Sequence, residues 1–378
     1  MRKIRFCVLF TIIASILSGS AAKAMLMHGK AAGHHYASVL MEVQSGMILG
    51  GTDSDTALPI GSLTKLMTVY LAAEAVTEGK FTMQTLLAAP PDAQKQQGAV
   101  IWLTGGEKMS AEDLLKGIII GNANDAAYTV ACKLAGSEEM FVREMNAAAF
   151  SLGMRDTRFS DCTGQSEANI STAADMARLC CVLLKYDFLI PMFTTWRTFL
   201  REGKTELVAE NKLTRTYENL TGFKAGHGDA CGYTLAAGAS RGGLFCVAVI
   251  LGCDDESERY TYAKNLLANG FSNYRVTTPD FAGEFLHPVA VHGGKSGAVT
   301  VEPDTLCGIA VKNGTEITCE TVLPKYVNAP VTKGQNIGVT AFYCGDSQVY
   351  EVTLRAAESV AKREFVDSFT MLLENLFK

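Results

Sequence analysis

Ser62 and Lys65 stand three residues apart at the start of an apolar, helix-like run that covers residues 66–76. Residues three apart on a helix lie on one face, so the Lys65 amine is expected one turn from the Ser62 hydroxyl. A buried, neutral lysine in that place could take the serine proton and turn the hydroxyl into a nucleophile. A serine near a helix start followed by a solvated lysine gives the same four-residue pattern, so the pattern alone indicates only a candidate pair.

Two further polar stretches could face that pair. The first is a polar break between two apolar helical runs, where the amides of Asn122 and Asn124 could point into a cleft. The second lies at residues 222–227, where Gly226 would let a substrate approach the backbone and Lys224 would offer a fixed positive charge. Asparagines also cap helices, and a lysine before a glycine turn is often solvated, so each stretch taken singly has a structural explanation.

The elements that must position these residues can be read from the spacing of apolar residues. Three- and four-residue spacing predicts further helices at residues 111–120, 125–135, 138–152 and 172–184. Ser110, with Asp113 three residues later, is a suitable start for the first of them. Two hairpins are expected, at residues 36–43 with 47–50 and at residues 233–239 with 244–252. The continuous apolar run at 245–251 suits a central strand buried on both faces.

The two ends of the chain differ from its middle. Residues 1–24 resemble a secretory signal, with Arg2, Lys3 and Arg5 before an apolar run and Ala22-Lys23-Ala24 at the expected cleavage site. From about residue 276, short apolar stretches alternate with Gly, Asp and Asn turns, which predicts a small all-β domain. Apolar residues then fall on one side of residues 362–378 at helical spacing, which suits a membrane surface or docking on the protein itself. The predicted divisions are residues 1–24, 25–275, 276–356 and 357–378.

Composition excludes several classes of function. The formal net charge of −5 becomes −9 when the signal is removed, which argues against nucleic acid as a partner. Ten of the eleven cysteines remain in the exported chain, yet none has the C-x-x-C spacing of a zinc or redox site. Most of them are expected to be small buried hydrophobes. The six histidines form no H-E-x-x-H motif, so we expect no metal and no other cofactor.

The order of the three polar stretches resembles the motifs S-x-x-K, S-x-N and K-T-G of the penicillin-binding and serine β-lactamase superfamily. Within it the chain is similar to the D-alanyl-D-alanine carboxypeptidases, the low-molecular-weight penicillin-binding proteins. The similarity extends over nearly the whole exported chain, at residues 59–68, 124–127, 152–159, 171–177, 265–267 and 329–338. The resemblance implies an α+β fold, in which helices and a helical subdomain flank an antiparallel sheet. A small all-β domain and a C-terminal amphipathic helix follow.

The resemblance also implies a role for each matching residue. Ser62 would attack the carbonyl between two D-alanines, and Lys65 would take its proton. The backbone N–H groups of Ser62 and His227 would form the oxyanion hole. Asn124 would hold the substrate amide, and Lys224, followed by Ala225 and Gly226, would attract the terminal carboxylate. The implied partners are peptidoglycan stem peptides, β-lactams and the membrane surface, outside the cytoplasm.

Two positions depart from the family motifs. Asn122 stands where S-x-N has serine, and Ala225 stands where K-T-G has threonine. An amide donates and accepts hydrogen bonds but does not carry protons at neutral pH, unlike a hydroxyl. The chain is therefore interpreted as a carboxypeptidase of reduced activity or as a binding or regulatory protein on the cell wall. A β-lactamase shares the nucleophile and the fold but fits the second domain and the tail less well.

Overall fold

The computed structural model describes residues 36–278, 286–304, 308–367 and 369 of the chain. The α-helices are α1 Lys65–Thr77, α2 Ala111–Ile119, α3 Asn124–Ala135, α4 Glu138–Ser151, α5 Ala173–Leu183, α6 Ile190–Thr194, α7 Leu213–Thr216 and α8 Glu256–Asn273. The 3-10 helices are Gly61–Thr64, Pro91–Lys95 and Asp187–Leu189. The strands are β1 Ala37–Glu42, β2 Ile48–Thr52, β3 Leu58–Pro59, β4 Leu86–Ala88, β5 Lys108–Ser110, β6 Ile170–Ser171, β7 Arg197–Leu200, β8 Thr205–Val208, β9 Leu220–Gly222, β10 Ala225–Gly228, β11 Gly232–Arg241, β12 Leu244–Cys253, β13 Tyr274–Thr277, β14 Val289–His292, β15 Ala298–Val299, β16 Val301–Pro303, β17 Ile309–Lys312, β18 Ile317–Val322, β19 Tyr326–Asn328, β20 Asn336–Cys344 and β21 Ser347–Ala356.

A six-stranded antiparallel sheet carries the strand that contains the second polar stretch. Its order is β10-β11-β12-β1-β2, and β9 also pairs with β11. Alternate residues of β12 enter two apolar cores, Ala248 and Ile250 on the α8 side and Val247 and Val249 on the opposite side. The predicted central strand is confirmed except at its first residue, because Phe245 is 39% exposed.

The helices α1 to α5 pack together on the face of the sheet opposite α8. Helix α1 buries side chains around nearly its whole circumference, because sheet and helices surround it. The predicted start of α2 is confirmed, since Ser110 Oγ accepts a hydrogen bond from the Asp113 N–H at 3.1 Å. Ser137 caps α4 in the same way through the Met140 N–H.

Helix α8 covers the other face of the sheet and is not among the predicted helices. Its buried positions include Arg259, Ala263 and Gly270, so a charged residue and small residues replace the large apolar ones that usually reveal a helical period. Its start is nevertheless well defined, because Asp255 Oδ1 accepts from the Ser257 N–H at 2.7 Å. This helix matters for the site because it supplies Arg259.

The described residues between α8 and residue 364 form strands and the loops between them. Strands β16-β21-β20-β18 form one antiparallel sheet, and β13 pairs with β17. Strands β15-β14-β19 form a mixed sheet, in which β14 runs antiparallel to β15 and parallel to β19. The predicted α+β architecture with a β-rich C-terminal part is therefore confirmed. Residues 1–35 and 370–378 lie outside the described residues, and with them the predicted signal and most of the predicted tail. Within the described ranges, no helix has the length and apolar character needed to cross a membrane.

The nine cysteines that the structure describes are free thiols. Six of them are buried, which bears out the expectation that most serve as small hydrophobes: Cys162, Cys180, Cys181, Cys231, Cys246 and Cys253. Burial raises the pKa of each of these thiols and so keeps them protonated.

Candidate active site

Ser62 lies in the 3-10 helix Gly61–Thr64, which leads directly into α1 at Lys65. The Lys65 backbone N–H donates to Ser62 O, so the two residues are joined by a single turn of helix. Ser62 is half-buried and faces β10. A Cβ atom on Gly226 would lie 2.9 Å from Ser62 Cβ and 3.3 Å from Ser62 N, so only glycine lets the strand pass this close.

The Lys65 side chain is almost completely buried, at 1% exposure. Its Nζ donates to Thr163 O at 2.6 Å. Burial lowers the pKa of this amine to about 8, against opposing contributions from Cys162, Asp161 and Glu210. An amine with such a pKa is partly neutral near pH 7 and can act as a base.

A tight loop at residues 161–166 holds the carbonyl that Lys65 contacts. Asp161 Oδ1 accepts from the N–H groups of Thr163 at 2.7 Å and Gly164 at 2.5 Å, and its Oδ2 accepts from the Ser166 N–H at 2.6 Å. One carboxylate therefore fixes the loop. This loop is not among the predicted elements, although an aspartate followed within five residues by Thr, Gly and Ser is a turn signal.

Asn122 connects the nucleophile to an acidic residue. Its Nδ2 donates one hydrogen to Ser62 Oγ at 3.2 Å and the other to Glu210 Oε2 at 3.1 Å. A carboxylate only accepts, so Glu210 requires the NH₂ side of the amide to face it. The backbone at Asn122 has φ +57°, in the left-handed region that asparagine tolerates better than most residues.

Asn124 begins helix α3 behind Asn122. Its Nδ2 donates to Gln97 O at 2.6 Å, so its Oδ1 points away from Gln97. Among the residues that the structure describes, the buried Asn124 Oδ1 has no hydrogen-bond partner. A buried acceptor without a hydrogen bond lowers the stability of the fold, and a substrate N–H would supply the missing hydrogen bond.

Lys224 and Ala225 lie side by side but face different surroundings. The Lys224 Nζ is buried and donates to Ile118 O at 2.9 Å. Burial first, and then the nearby Lys65 cation, hold the pKa of Lys224 well below its usual value, while Glu210 opposes the shift. Ala225 belongs to the apolar core under α8, together with Leu235.

His227 and Glu210 lie where β10 reaches the surface. The His227 ring stacks on Tyr233, and its Nδ1 lies 3.3 Å from Glu210 Oε1. Buried Arg259 donates to Gly226 O at 2.7 Å and lies 3.8 Å from Glu210 Oε1. No sequence motif marks Glu210, and only the folded arrangement reveals it.

The structure thus brings Ser62, Asn122 and Gly226 into direct proximity and buries Lys65 and Lys224 behind them. Residues 25–255 match the model of the family described as D-alanyl-D-alanine carboxypeptidase. The chain belongs to this family. Residues 274–362 match the family described as penicillin-binding protein 5, C-terminal domain.

Individual relatives agree with this assignment. D-alanyl-D-alanine carboxypeptidase DacF of Bacillus subtilis is 31% identical over 336 residues, which cover 87% of this chain and 86% of the relative. D-alanyl-D-alanine carboxypeptidase DacC of Escherichia coli is 28% identical over 349 residues, which cover 86% of this chain and 84% of the relative. The crystal structure of penicillin binding protein 5 from Haemophilus influenzae matches with a TM-score of 0.76 at 25% identity, covering 86% of this chain and 97% of that one.

Proposed function

We propose that the chain removes the terminal D-alanine from peptidoglycan stem pentapeptides through an acyl-enzyme on Ser62, and that penicillins acylate the same serine. The observation that carries the proposal is the position of a buried Lys65, whose pKa is lowered to about 8, one helical turn after Ser62 in a chain of the carboxypeptidase family. A nucleophile activated by an adjacent base and facing a cleft is what acyl transfer requires.

The contacts support a role for each residue. Lys65 takes the Ser62 proton as Oγ attacks the carbonyl carbon. The peptide C–N bond then breaks as this proton passes from the Lys65 ammonium to the departing amine nitrogen. The N–H groups of Ser62 and His227 stabilise the oxyanion, since β10 runs beside the Ser62 backbone. Asn124 Oδ1 accepts the substrate amide, and Lys224 binds the terminal carboxylate. Water then hydrolyses the ester on Ser62.

Release of D-alanine from a synthetic stem pentapeptide tests this function. We expect the wild-type chain to release D-alanine and the Ser62→Ala variant to release none. Binding of the peptide to Ser62→Ala shows that the variant is folded. Wild-type release no greater than that of Ser62→Ala would refute the proposed hydrolysis.

Acylation by penicillin is expected to depend on pH through Lys65. Its pKa is lowered to about 8, so the neutral fraction and the acylation rate should rise about tenfold per pH unit below pH 8 and level off above it. The second-order rate constant, measured with a fluorescent penicillin between pH 6 and pH 10, gives the midpoint. A midpoint near the ordinary lysine value of about 10.4 would contradict this role.

Binding of a peptide that ends in a carboxylate is expected to take up a proton at Lys224. Burial lowers the pKa of Lys224 in the free protein, and a bound carboxylate raises it again, so affinity should fall as pH rises. Calorimetry of the Ser62→Ala variant in buffers of different ionisation enthalpy measures this uptake, with the amidated peptide as control. Equal proton uptake for the two peptides would exclude Lys224 as the carboxylate site.

A second candidate function is binding of stem peptides without turnover, as in a regulatory protein of the cell wall. Asn122 and Ala225 favour it, because both replace hydroxyl residues of the family motifs. Ala225 packs in an apolar core, whereas Asn122 contacts Ser62 directly. Asn122 is therefore the replacement that bears on catalysis most directly.

We also propose that the protein is exported and held at the outer face of the cytoplasmic membrane by residues 362–378. In support, Phe365 is 82% exposed and Phe369 is 52% exposed, although both are apolar. Deletion of residues 362–378 is expected to move the protein from membrane to soluble fractions of the producing cells. Unchanged fractionation would argue that this segment docks elsewhere.

A further inference from the structure

Glu210 is fixed at the edge of the active site by four groups. Oε2 accepts from Asn122 Nδ2 at 3.1 Å, and Oε1 lies 3.3 Å from His227 Nδ1 and 3.8 Å from Arg259 Nη1. The Glu210 backbone is also held, because Tyr260 Oη donates to its carbonyl at 2.9 Å. The side chain is nevertheless 25% exposed, so water can reach it.

One amide nitrogen links Glu210 to the nucleophile. Glu210 Oε2 and Ser62 Oγ both accept from Asn122 Nδ2, so they lie within two hydrogen-bond lengths of each other. A water molecule beside this amide can therefore contact the carboxylate while it faces a carbonyl carbon attached to Ser62 Oγ.

Glu210 also lies near the segment that would bind the leaving amino acid. Lys224, which would bind the carboxylate of the departing amino acid, belongs to the same segment as His227, the ring that contacts Glu210. The charge of Glu210 acts on both Lys65 and Lys224. The 25% exposure of the Glu210 side chain gives water access to the carboxylate once the amino acid has left.

We propose that Glu210 is the general base that activates the deacylating water, an inference that rests on the proposed acyl-enzyme at Ser62. The water oxygen forms a bond to the ester carbonyl carbon while one of its protons passes to the Glu210 carboxylate. The bond from that carbon to Ser62 Oγ then breaks, and the proton held by Glu210 passes through solvent to Oγ. Ser62, the neutral Lys65 amine and the Glu210 carboxylate are thereby restored.

The residues next to Ser62 support this role. The family motif places a serine hydroxyl beside the nucleophile, but Asn122 has an amide that carries no proton at neutral pH. The Lys65 amine donates to Thr163 O, whereas Glu210 contacts Asn122. A partly exposed carboxylate next to Asn122 can accept the proton that the amide cannot.

The Glu210→Gln variant shows whether Glu210 acts as a general base or only positions its neighbours. The glutamine carbonyl can still accept from Asn122, so the geometry at Ser62 is kept while the capacity to take a proton is lost. We expect acylation by a fluorescent penicillin within about threefold of wild type, but decay of the adduct about 10²-fold slower or more. With a stem pentapeptide, D-alanine should appear in one burst per enzyme, and mass spectrometry should find the peptide ester accumulated on Ser62.

Glu256→Gln is the matched control, because Glu256 also contacts Arg259, at 3.2 Å, but is not a partner of Asn122. Its adduct should decay at the wild-type rate. Wild-type decay in Glu210→Gln would overturn the inference and leave the proposed function standing. Equal loss of acylation and deacylation would also overturn it, in favour of a positioning role. Absence of any adduct on the wild-type protein would overturn the proposed function and the inference together.

Discussion

Replacement of Lys65 by methionine is expected to lower the rate of Ser62 acylation by about 10²- to 10⁴-fold. Methionine fills a similar buried volume but has no amine to take the Ser62 proton, so the loss reports on proton transfer rather than on packing. Lys65 is 1% exposed, which makes matching of volume important at this position. The second-order rate constant for a fluorescent penicillin measures the effect. The pH dependence with a midpoint at about 8 should disappear with the amine.

Lys80→Met is the control for this experiment. Lys80 follows α1 in sequence but is exposed and paired with Glu78 at 2.8 Å, so its loss should leave acylation unchanged. Acylation of Lys65→Met within threefold of the wild-type rate would show that another group activates Ser62.

The Asn122→Ser variant is expected to turn over stem pentapeptide about 10²- to 10⁴-fold faster than the wild-type chain. The serine restores a hydroxyl that can relay a proton between Lys65 and the leaving amine, at a position whose present side chain contacts Ser62 Oγ. The φ of +57° suits asparagine better than serine, so the free energy of unfolding should fall by about 1 kcal/mol. Steady-state release of D-alanine and thermal unfolding measure the two effects.

Asn219→Ser controls for the stability that is lost when serine replaces asparagine at a positive φ. Asn219 also has a positive φ, of +54°, but lies exposed at the surface before β9. It should lose similar stability and gain no activity. Turnover of Asn122→Ser equal to that of wild type would show that the lost hydroxyl does not limit the rate.

Much of the fold could be predicted because local signals agreed with the tertiary structure. The predicted helices that became α2, α4 and α5 combine clear apolar periods with side-chain caps, such as Ser110 for α2. The paired strands β11 and β12 were marked by apolar runs on either side of a glycine turn. Helix α8 escaped prediction because its buried face contains Arg259 and small residues.

Only the site residues that belong to sequence motifs could be predicted. Ser62, Lys65 and Lys224 stand in recognisable patterns, and the fold gathers them because β10 passes beside Gly61–Thr64. Glu210 and Thr163 belong to no pattern, since their roles depend on which loop reaches which side chain in space. The family resemblance predicts that the side chain at position 225 faces the substrate carboxylate, but the structure buries the Ala225 side chain in the apolar core under α8.

Labelling with a fluorescent penicillin, followed by digestion and mass spectrometry, tests the central claim most directly. We expect one adduct per chain, on the peptide that contains Ser62, and no adduct in the Ser62→Ala variant. The half-buried Ser62 and the amine of Lys65, with its pKa lowered to about 8, make this hydroxyl the expected nucleophile. An unlabelled wild-type protein, or an adduct on a different residue such as Cys231, would show that Ser62 is not the nucleophile.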